Sequence, residues 1–377
     1  MDATFLHSDA APIERGWAEL CQRSGASPFL WPGWDRRWRS AFARGRPRYL
    51  TAVRDDRLVG VLALEEVGGV LRSAANEHTP VFQPVALDDR AMHSLASGLA
   101  TLRPVGIKLD ELQLTPAESQ RWAAALSPAL PRQELAVQYR SPYLDLTPDW
   151  TVFEQRLGRS YRKDARRRQR RAAERGELSH ATWTSPDGLT GIMDTCMAVE
   201  ASGWKGQQGS AMSSRTSTRR FYQDLTAWLA ARGWLRLELL RLDAAIIAFE
   251  LHVQHRGIAY AVKVGYDDAH RDLGPGSILT EAVTRRQVAD PGLYRAEWLG
   301  SDEDYKLRWA DGTQDRVVLE AYRASVGGYL WDSASRSRRQ VRSWAQHNMD
   351  ESTVAHLRSA RSVVKRSRER LRIGRSA

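Results

Sequence analysis

The sequence predicts an α+β protein made of two related units. Its 377 residues correspond to about two domains, at roughly 150 residues each. Two β-hairpins of similar character are predicted, one at 49–64 and one at 234–253, with amphipathic helices before and after them. The hydrophobic share of 42% and charged share of 27% are typical of a globular chain and exclude a collagen-like or low-complexity protein.

The first unit is predicted to contain an aromatic helix and then a hairpin. Within 28–42, four aromatic residues at spacings of three, four and four lie on one helical face and are expected to pack in the core: Trp31, Trp34, Trp38 and Phe42. Two apolar runs, 49–53 and 58–64, flank the turn Arg-Asp-Asp-Arg. The run 58–62 aligns with 246–250 of the second hairpin, which suggests an internal duplication. Because any two hairpins share such features, this alignment alone leaves a chance similarity open.

The basic residues are concentrated in two places. The formal net charge is +11, but 156–175 holds ten Lys or Arg against two acids, and 334–377 holds twelve against three. The first block is expected to be a helix that follows a break at 145–150. We therefore expect an N-terminal unit at 1–145, a second unit at 146–333, and a basic helical tail at 334–377. Either basic segment fits a solvated face or contact with nucleic acid, and the tail also fits contact with an anionic membrane surface.

The stretch 257–290 carries the clearest sign of chemistry. Residues 258–266 are predicted to form a strand and 278–288 a helix, with Arg271, Gly274, Pro275, Gly276 and Ser277 between them. Glycine allows close approach of a ligand, and proline is compatible with the first helical turn. The free amides of 276–278 would then favour an anion such as a phosphate. A turn with purely conformational glycines remains the alternative.

At this point the sequence resembles a known family. Arg271, Gly274 and Gly276 match the Arg-x-x-Gly-x-Gly pattern with which GNAT acyltransferases hold the pyrophosphate of acyl-CoA. The runs Ser-Gly-Trp-Lys-Gly at 202–206, Gly-Tyr-Asp at 265–267 and Asp-Glu-Asp-Tyr-Lys-Leu-Arg-Trp at 302–309 resemble the CelD-like bacterial GNAT proteins, relatives of the FemABX transferases. The resemblance covers about 145–322 well and the first half thinly.

This resemblance implies tandem GNAT-like, or Fem-like, domains, each a mixed and mostly antiparallel sheet flanked by helices. The first half lacks the Arg-x-x-Gly-x-Gly pattern, so we expect it to bind no CoA and to help form the acceptor pocket. The donor implied is acyl-CoA, most simply acetyl-CoA, bound by Arg271, Gly274, Gly276 and Ser277. The acceptor is expected to be an amine or hydroxyl of a small molecule, a sugar or an envelope precursor.

GNAT-type transfer proceeds by direct attack, so the protein must deprotonate the nucleophile and stabilise an oxyanion. We expect the base among Asp302, Glu303 and Asp304, with Asp302 first because it follows the predicted strand 295–299, or at Glu250. The acidic run would alternatively start the helix that holds Lys306. Lys306 and Lys205 are candidates for binding an anionic group, and Lys306 is also a catalytic candidate. Trp204 and Tyr305 are expected to line the substrate pocket, unless they pack in the core.

Other site classes receive little support. Cys21 and Cys196 are far apart, so neither a disulfide framework nor a thiolate metal site is indicated, and no metal is expected. The start lacks the features of a signal peptide and no apolar run reaches the roughly 20 residues of a transmembrane helix, so we expect a cytoplasmic protein. Two alternatives to the CoA enzyme stay open: a Fem-like transferase that uses aminoacyl-tRNA, and a non-catalytic binder of nucleic acid or anionic surfaces through the tail.

Overall fold

The computed structural model describes residues 2–146, 149–203, 206, 209 and 211–348, with side chains up to 337. Its thirteen strands are β1 Ala3–His7, β2 Arg46–Arg54, β3 Arg57–Val67, β4 Val70–Ser73, β5 Val85–Ala86, β6 Gly106–Leu112, β7 Arg132–Asp145, β8 Leu178–Trp183, β9 Leu235–Leu242, β10 Ala245–His255, β11 Ile258–Tyr266, β12 Arg295–Glu297 and β13 Gly312–Tyr322. Its α-helices in the described residues are α1 Glu14–Ser24, α2 Pro32–Phe42, α3 Asp89–Thr101, α4 Pro116–Leu126, α5 Trp150–Arg156, α6 Arg159–Ala173, α7 Leu189–Ser202, α8 Thr216–Ala231, α9 Pro275–Ala289, α10 Asp304–Leu307 and α11 Val326–Asn348. Short 3-10 helices lie at Pro28–Leu30, Met212–Ser214 and Asp268–Leu273.

All thirteen strands of the described residues belong to one mixed sheet, so the predicted α+β class is confirmed. The order across the sheet is β1-β2-β3-β4-β6-β13-β7-β12-β11-β10-β9-β8, and β5 pairs with β3. Most pairs are antiparallel, whereas β4 with β6 and β11 with β12 are parallel. Helices cover the sheet on both sides, as the tandem, Fem-like interpretation requires.

The internal duplication suspected from the hairpins is visible in the strand positions. Strand β10 begins 188 residues after β3 (245 against 57), and β11 begins 188 residues after β4 (258 against 70). The turns between these strands also correspond, because Gly68 and Gly69 match Arg256 and Gly257, all four with positive φ. Paired left-handed residues are typical of tight turns whose twist matches the flanking strands. The alignment of 58–62 with 246–250 therefore joins equivalent positions of two equivalent hairpins.

The two halves exchange a strand at the middle of the sheet. Strand β7 follows β6 in the chain but pairs with β12 of the second half, and β13 follows β12 but pairs with β6 of the first half. The two exchanged strands also pair with each other along most of their length. Each half thus contributes one strand that pairs with a strand of the other half. The unit limits at 145 and 333 stay predictions.

The aromatic helix packs in the core, as the sequence predicted, and it lies where the two halves meet. The side chains of Trp34 and Trp38 are almost fully buried, and helix α2 packs against α8 of the second half. The ring of Phe29 lies edge-on to Trp34 and to Tyr260 of β11, with centroids 4.5 and 5.3 Å apart. Each buried aromatic ring contributes roughly 1.5–3 kcal/mol by leaving water. The core cluster around Trp34 extends into α7 and α8, so it joins both halves.

The basic block forms helix α6, as predicted, and lies beside α9. Tyr161, Ala165 and Ala172 form its buried face, and most of its Arg side chains lie on the other. Of the predicted basic tail, the structure describes α11 as far as Asn348, and the remainder lies outside the described residues. In the described part of the chain, no helix has the length and apolar character needed to cross a bilayer.

Candidate active site

The central opening of the second half lies where β11 and β12 separate. The two parallel strands pair only from Ile258 with Arg295 to Tyr260 with Glu297. Beyond that point β11 continues to Tyr266 while β12 has ended. The sheet is therefore open at the carboxyl ends of the two strands, and α9 begins at this same end.

A β-bulge at Val262 sets which side chains border this opening. Strand β10 pairs Leu251 with Lys263 and His252 with Ala261, so Val262 is the extra residue of β11. The bulge reverses the alternation of faces, and such irregularities are common next to active sites. As a result Lys263 lies on the same face as Leu251, towards α7 and α8, with its Nζ 5.6 Å from the centre of the Tyr222 ring.

The predicted phosphate turn has the expected strand, turn and helix. Gly274 has φ 67° and ψ 49° and caps α9, and Pro275 is the first helical residue. The amide of Ile278 donates to Gly274 O at 3.2 Å, so the expectation that it is free is wrong. The amides of Gly276 and Ser277 remain at the open end of the helix, where unpaired donors and the helix dipole favour an anion.

Gly274 and Gly276 are required in this turn for different structural reasons. A Cβ at Gly274 would be strained by the positive φ and would come within 2.9 Å of Arg168 Cδ. A Cβ at Gly276 would meet only Tyr266 Cδ1, at an ordinary 3.5 Å. The space in front of Gly276 is therefore open, which suits a ligand group that approaches the helix end.

Arginines surround the phosphate turn. Arg271 is exposed beside it, while Arg168 of α6 packs directly on Gly274. The Nη1 of Arg168 is buried and has no hydrogen-bond partner. The nearby Asp272 pairs with Arg171 and Arg175 at 3.3 and 2.9 Å. Asp272 is thus neutralised by arginines in and just after the last turn of α6. Arg168 pairs with Asp164 through Nη2, which leaves its Nη1 on the side of the turn, beside the exposed Arg271.

Lys306 is occupied in holding the turn after β12. Its Nζ donates to Leu299 O at 2.9 Å and Ser301 O at 3.1 Å, and it pairs with Glu303 at 2.8 Å. Leu299 and Gly300 both have positive φ, at 45° and 65°, so this turn needs external support. The side chain of Lys306 is only 11% exposed. Lys306 therefore positions this turn, and its predicted roles in binding an anionic group and in catalysis stay predictions.

The other candidates in this segment are more open. Asp302 is exposed. Asp304 is the first residue of α10, so the acidic run starts the helix that holds Lys306, which was the alternative to a catalytic role. Tyr305 is 50% exposed, and partial burial together with the charges of Glu303 and Glu250 raises its pKa. Tyr305 therefore does not pack in the core.

Glu250 is buried beneath α9 and both of its oxygens are engaged. Thr280 Oγ1 donates to Oε1 at 2.6 Å, and His252 Nε2 lies 2.8 Å from Oε2. Gln287 continues this network on the other side of His252. The arrangement ties β10 to α9, and the predicted role of Glu250 as a base stays a prediction.

Trp204 and Lys205 lie outside the described residues. The flanking motif residues are brought together, however. Ser202 Oγ donates to Asp267 Oδ1 at 3.2 Å and accepts from the amide of Asp268 at 3.2 Å. This contact fixes the end of α7 against the turn that follows β11.

One residue that the sequence did not single out as functional reaches across from the first half. The side chain of His78 is 11% exposed, its Nδ1 lies 3.0 Å from Tyr222 Oη, and its ring stacks on Phe42 with centroids 4.8 Å apart. Burial and the charge of Lys263 lower the pKa of His78 to about 4. No spacing in the sequence pairs His78 with residues 144 positions away.

The comparison with family models decides the assignment. Residues 159–307 match the model described as an acetyltransferase (GNAT) domain. These residues are a GNAT domain. The match begins at the first residue of α6 and includes the phosphate turn and α10, so the basic helix is part of the domain. The finer resemblance to CelD-like proteins stays a prediction.

Solved structures extend this similarity to most of the chain. FemX has a TM-score of 0.56 at 12% identity, over 88% of this chain and 99% of that one. The C-terminal domain of a protein assigned as a lysylphosphatidylglycerol synthetase from Agrobacterium fabrum has 0.55 at 13% identity, over 87% and 96%. A conserved protein from Bacteroides thetaiotaomicron has 0.53 at 12%, over 86% and 100%. At such identities these similarities establish the shared fold only. That fold is a GNAT domain in the second half of the chain, joined to a related first half, as in Fem-like proteins. No curated protein matches the chain in sequence.

Proposed function

We propose that this protein transfers an acyl group from acyl-CoA, most simply acetyl-CoA, to an amine or hydroxyl acceptor. The observation that carries the proposal is the open end of α9 at Gly276, next to the separation of β11 and β12 inside a GNAT domain. A helix end with free amides and open space suits a diphosphate. The opening between the strands gives the rest of the donor an extended path towards the centre of the sheet.

On this proposal the diphosphate is bound by the amides of Gly276 and Ser277 and by Arg271, with Gly274 shaping the turn. Arg168 is added to these predicted residues because it lies on Gly274 with an unpartnered Nη1. Charge-assisted hydrogen bonds from guanidinium to phosphate are among the stronger ones in proteins. No protein nucleophile is required, since the acceptor attacks the thioester directly.

The acceptor would bind between the two halves. His78 brings the first half against Tyr222 and close to Lys263 of the opening, while Trp204 and Lys205 are the predicted contacts from the second half. The acceptor classes stay those expected from the sequence: a small molecule, a sugar or an envelope precursor. Asp302 and Tyr305 remain proposed contacts at the mouth of the opening.

Donor binding is the direct test. Calorimetric titration with acetyl-CoA should give micromolar affinity for the parent, and Gly276→Trp should abolish it because the indole fills the open space. Gly191→Trp is the matched control, because Gly191 lies in α7 and also has open space at its Cβ. Equal loss in both variants, or no binding to a well-folded parent, would contradict the proposal.

A Fem-like transfer from aminoacyl-tRNA is the second candidate. It is favoured by the similarity of fold to FemX and by the exposed arginines of α6. An acetyl-CoA titration without heat, together with binding of a charged tRNA that weakens steeply with salt, would favour it. Binding of nucleic acid or anionic vesicles that is lost with the tail 334–377, with no donor bound, would instead favour a non-catalytic binder.

A further inference from the structure

A cavity of about 570 Å³ lies between the two halves, at the end of β11 away from the phosphate turn. Its lining comes from α1 and Trp31 of the first half and from Trp234 and His255 with their neighbours in the second. His255 pairs with Ile258 at the start of β11, whereas the phosphate turn follows Tyr266 at the end of that strand. At roughly 3.3 Å per residue, the two ends of β11 are about 26 Å apart. The cavity is therefore distinct from the proposed donor site.

Aromatic rings form one wall of this cavity. The rings of Trp31 and Trp234 meet edge to face with centroids 5.0 Å apart, and the ring of His255 lies edge-on to Trp234 at 4.5 Å. Trp31 is 6% exposed, and its Nε1 donates to Ala26 O at 3.2 Å, which fixes the indole. The wall is therefore held in place by the protein and offers an apolar surface on which another ring can pack.

Arg232 lies against this aromatic wall without a counter-charge. Its guanidinium carbon is 4.9, 5.0 and 5.1 Å from the ring centres of Trp31, Trp228 and Trp234. In the described part of the chain, no carboxylate pairs with this guanidinium and no protein acceptor bonds to it. A guanidinium donates in its own plane, in a fork that matches a carboxylate or a phosphate. The tryptophans thus position a cationic donor group and leave its N–H groups for another molecule.

Two further arginines border the cavity, and they face little opposing charge. Arg256 is held by a hydrogen bond from its Nη1 to Gln22 O at 3.3 Å. Arg15 pairs with Glu19 on α1 at 3.0 Å, and among the described residues that line the cavity Glu19 is the only carboxylate. The negative charge of Glu19 is therefore already balanced, and the charges of Arg232 and Arg256 remain to attract an anion.

His255 adds a neutral hydrogen-bonding group to the same wall. Burial, together with the charges of Arg256 and Arg232, lowers the pKa of His255 to about 4, so the imidazole is uncharged at neutral pH. Within the residues that the structure describes, its ring nitrogens make no hydrogen bond. A neutral imidazole carries one N–H donor. The influence of both arginines on His255 also shows that their positive potential reaches the aromatic wall.

We propose that this cavity binds a small aromatic anion, that is, a flat ring that carries a carboxylate or a phosphate. The ring packs on Trp31 and Trp234, and the anionic group bonds to Arg232 and Arg256. The volume lies in the range of about 300–1,000 Å³ that is usual for small-molecule sites. The inference does not depend on the proposed acyl-CoA function. Because the lining comes from both halves, a bound ligand would join them and stabilise the folded protein.

The test is calorimetric titration of the full chain with four probes. Indole-3-acetate supplies a ring with a carboxylate, and phenyl phosphate supplies a ring with a phosphate. Indole-3-acetamide lacks the charge, and cyclohexylacetate lacks the aromatic ring. We expect at least one of the two aromatic anions to bind with a Kd of about 1 mM or lower, as is usual for ligands of this size. It should bind at least about tenfold more tightly than either of the other probes, and the tighter anion identifies the anionic group.

Variants locate the bound probe. Arg232→Met removes the charge and keeps an apolar side chain on the wall, so the Kd should rise about tenfold or more. Arg285→Met is the matched control, because Arg285 also packs on a tryptophan, 4.4 Å from the ring centre of Trp150, but outside the cavity. Ala18→Trp fills the cavity from α1 and should abolish binding. Gly276→Trp, at the phosphate turn, should bind the probe as the parent does.

Thermal unfolding with and without the probe is a second measurement. A saturating aromatic anion should raise the Tm of the parent, Arg285→Met and Gly276→Trp, but leave that of Ala18→Trp unchanged. The same scans show whether each variant is folded. If Arg232→Met fails to fold, Ala18→Trp alone locates the site.

The outcomes that would overturn the proposal are distinct from those for the acyl-CoA function. If neither aromatic anion binds to the folded parent, the cavity is not such a site. Equal affinity for indole-3-acetamide would refute recognition of the anion, and equal affinity for cyclohexylacetate would refute recognition of the ring. Binding that is lost in Gly276→Trp but kept in Ala18→Trp would place the probe at the phosphate turn. Failure of acetyl-CoA to bind would leave all of these results interpretable.

Discussion

Replacing Gly276 by alanine should change stability and donor affinity in opposite directions. Gly276 lies in the first turn of α9 without a positive φ, and an added Cβ meets only Tyr266 Cδ1 at 3.5 Å. Alanine lowers the conformational entropy of the unfolded chain and favours helix, so the free energy of unfolding should rise by about 0.5–1 kcal/mol. Urea denaturation followed by circular dichroism measures this change.

The same methyl group should weaken binding of acetyl-CoA. It occupies part of the open space at the helix end, so a diphosphate would have to withdraw from the amides of Gly276 and Ser277. We expect the Kd from calorimetry to rise about tenfold, which corresponds to about 1.4 kcal/mol. A variant that is more stable and binds less tightly cannot be explained by damage to the fold.

Gly274→Ala provides the contrast. Its φ of 67° is unfavourable for alanine, and the methyl group would come within 2.9 Å of Arg168 Cδ. We expect a loss of about 1–3 kcal/mol in the free energy of unfolding. If Gly276→Ala leaves the Kd unchanged while its stability rises as expected, the end of α9 does not bind the donor and the reasoning on this turn is refuted.

Three further predictions concern the surroundings of the site. Lys306→Met should lower the free energy of unfolding by about 1–3 kcal/mol, because the carbonyls of Leu299 and Ser301 lose their donor. If urea denaturation shows unchanged stability, the positioning role of Lys306 is contradicted. The pKa of His78 is about 4 in the folded protein and about 6.5 in the unfolded chain, so the unfolded chain binds the proton more tightly. The free energy of unfolding should therefore fall by about 3 kcal/mol as the pH drops from about 6.5 to 4. His78→Phe should reduce the slope of urea stability against pH in this window without removing it, because burial also lowers the pKa of His255 to about 4. An unchanged slope would show that His78 does not contribute. Arg168→Met should weaken acetyl-CoA binding and reduce the salt dependence of that binding. Arg167→Met is the control and should do neither, because the Arg167 side chain is 62% exposed although it pairs with the same Asp164. Equal effects of the two variants would show that only the net charge of α6 matters.

The sequence predicted local structure well wherever a short pattern determines it. The hairpin of β9 and β10, the strand 258–266 and the helix after Pro275 all follow from alternation, turn residues and helix-start signals. The family motif placed Gly274 and Gly276 at the end of that helix. These features depend on neighbours in the chain, which a sequence pattern records directly.

What the sequence could not predict depends on contacts between distant segments. The exchange of β7 and β13 joins strands from opposite halves, and no local pattern specifies such a partner. Lys306 was singled out because lysine is rare in this arginine-rich chain. Two of its partners are the backbone carbonyls of Leu299 and Ser301, and such contacts have no signature in sequence.

The duplication explains why one half would bind the donor and the other would shape the acceptor site. In the second half, β11 leads through a short turn directly into α9, whereas in the first half the equivalent β4 ends at Ser73 and the next helix begins only at Asp89. In residues 2–146 no α-helix begins directly after the equivalent strand, so the arrangement of the phosphate turn is not repeated there. The chain that follows β4 instead, 74–84, crosses to the second half, where His78 contacts Tyr222 and the carbonyl of Pro80 accepts from Arg316. On the proposed function, acceptor selectivity should therefore depend on 74–84 and donor affinity on 266–277, although both segments occupy equivalent positions in the two halves.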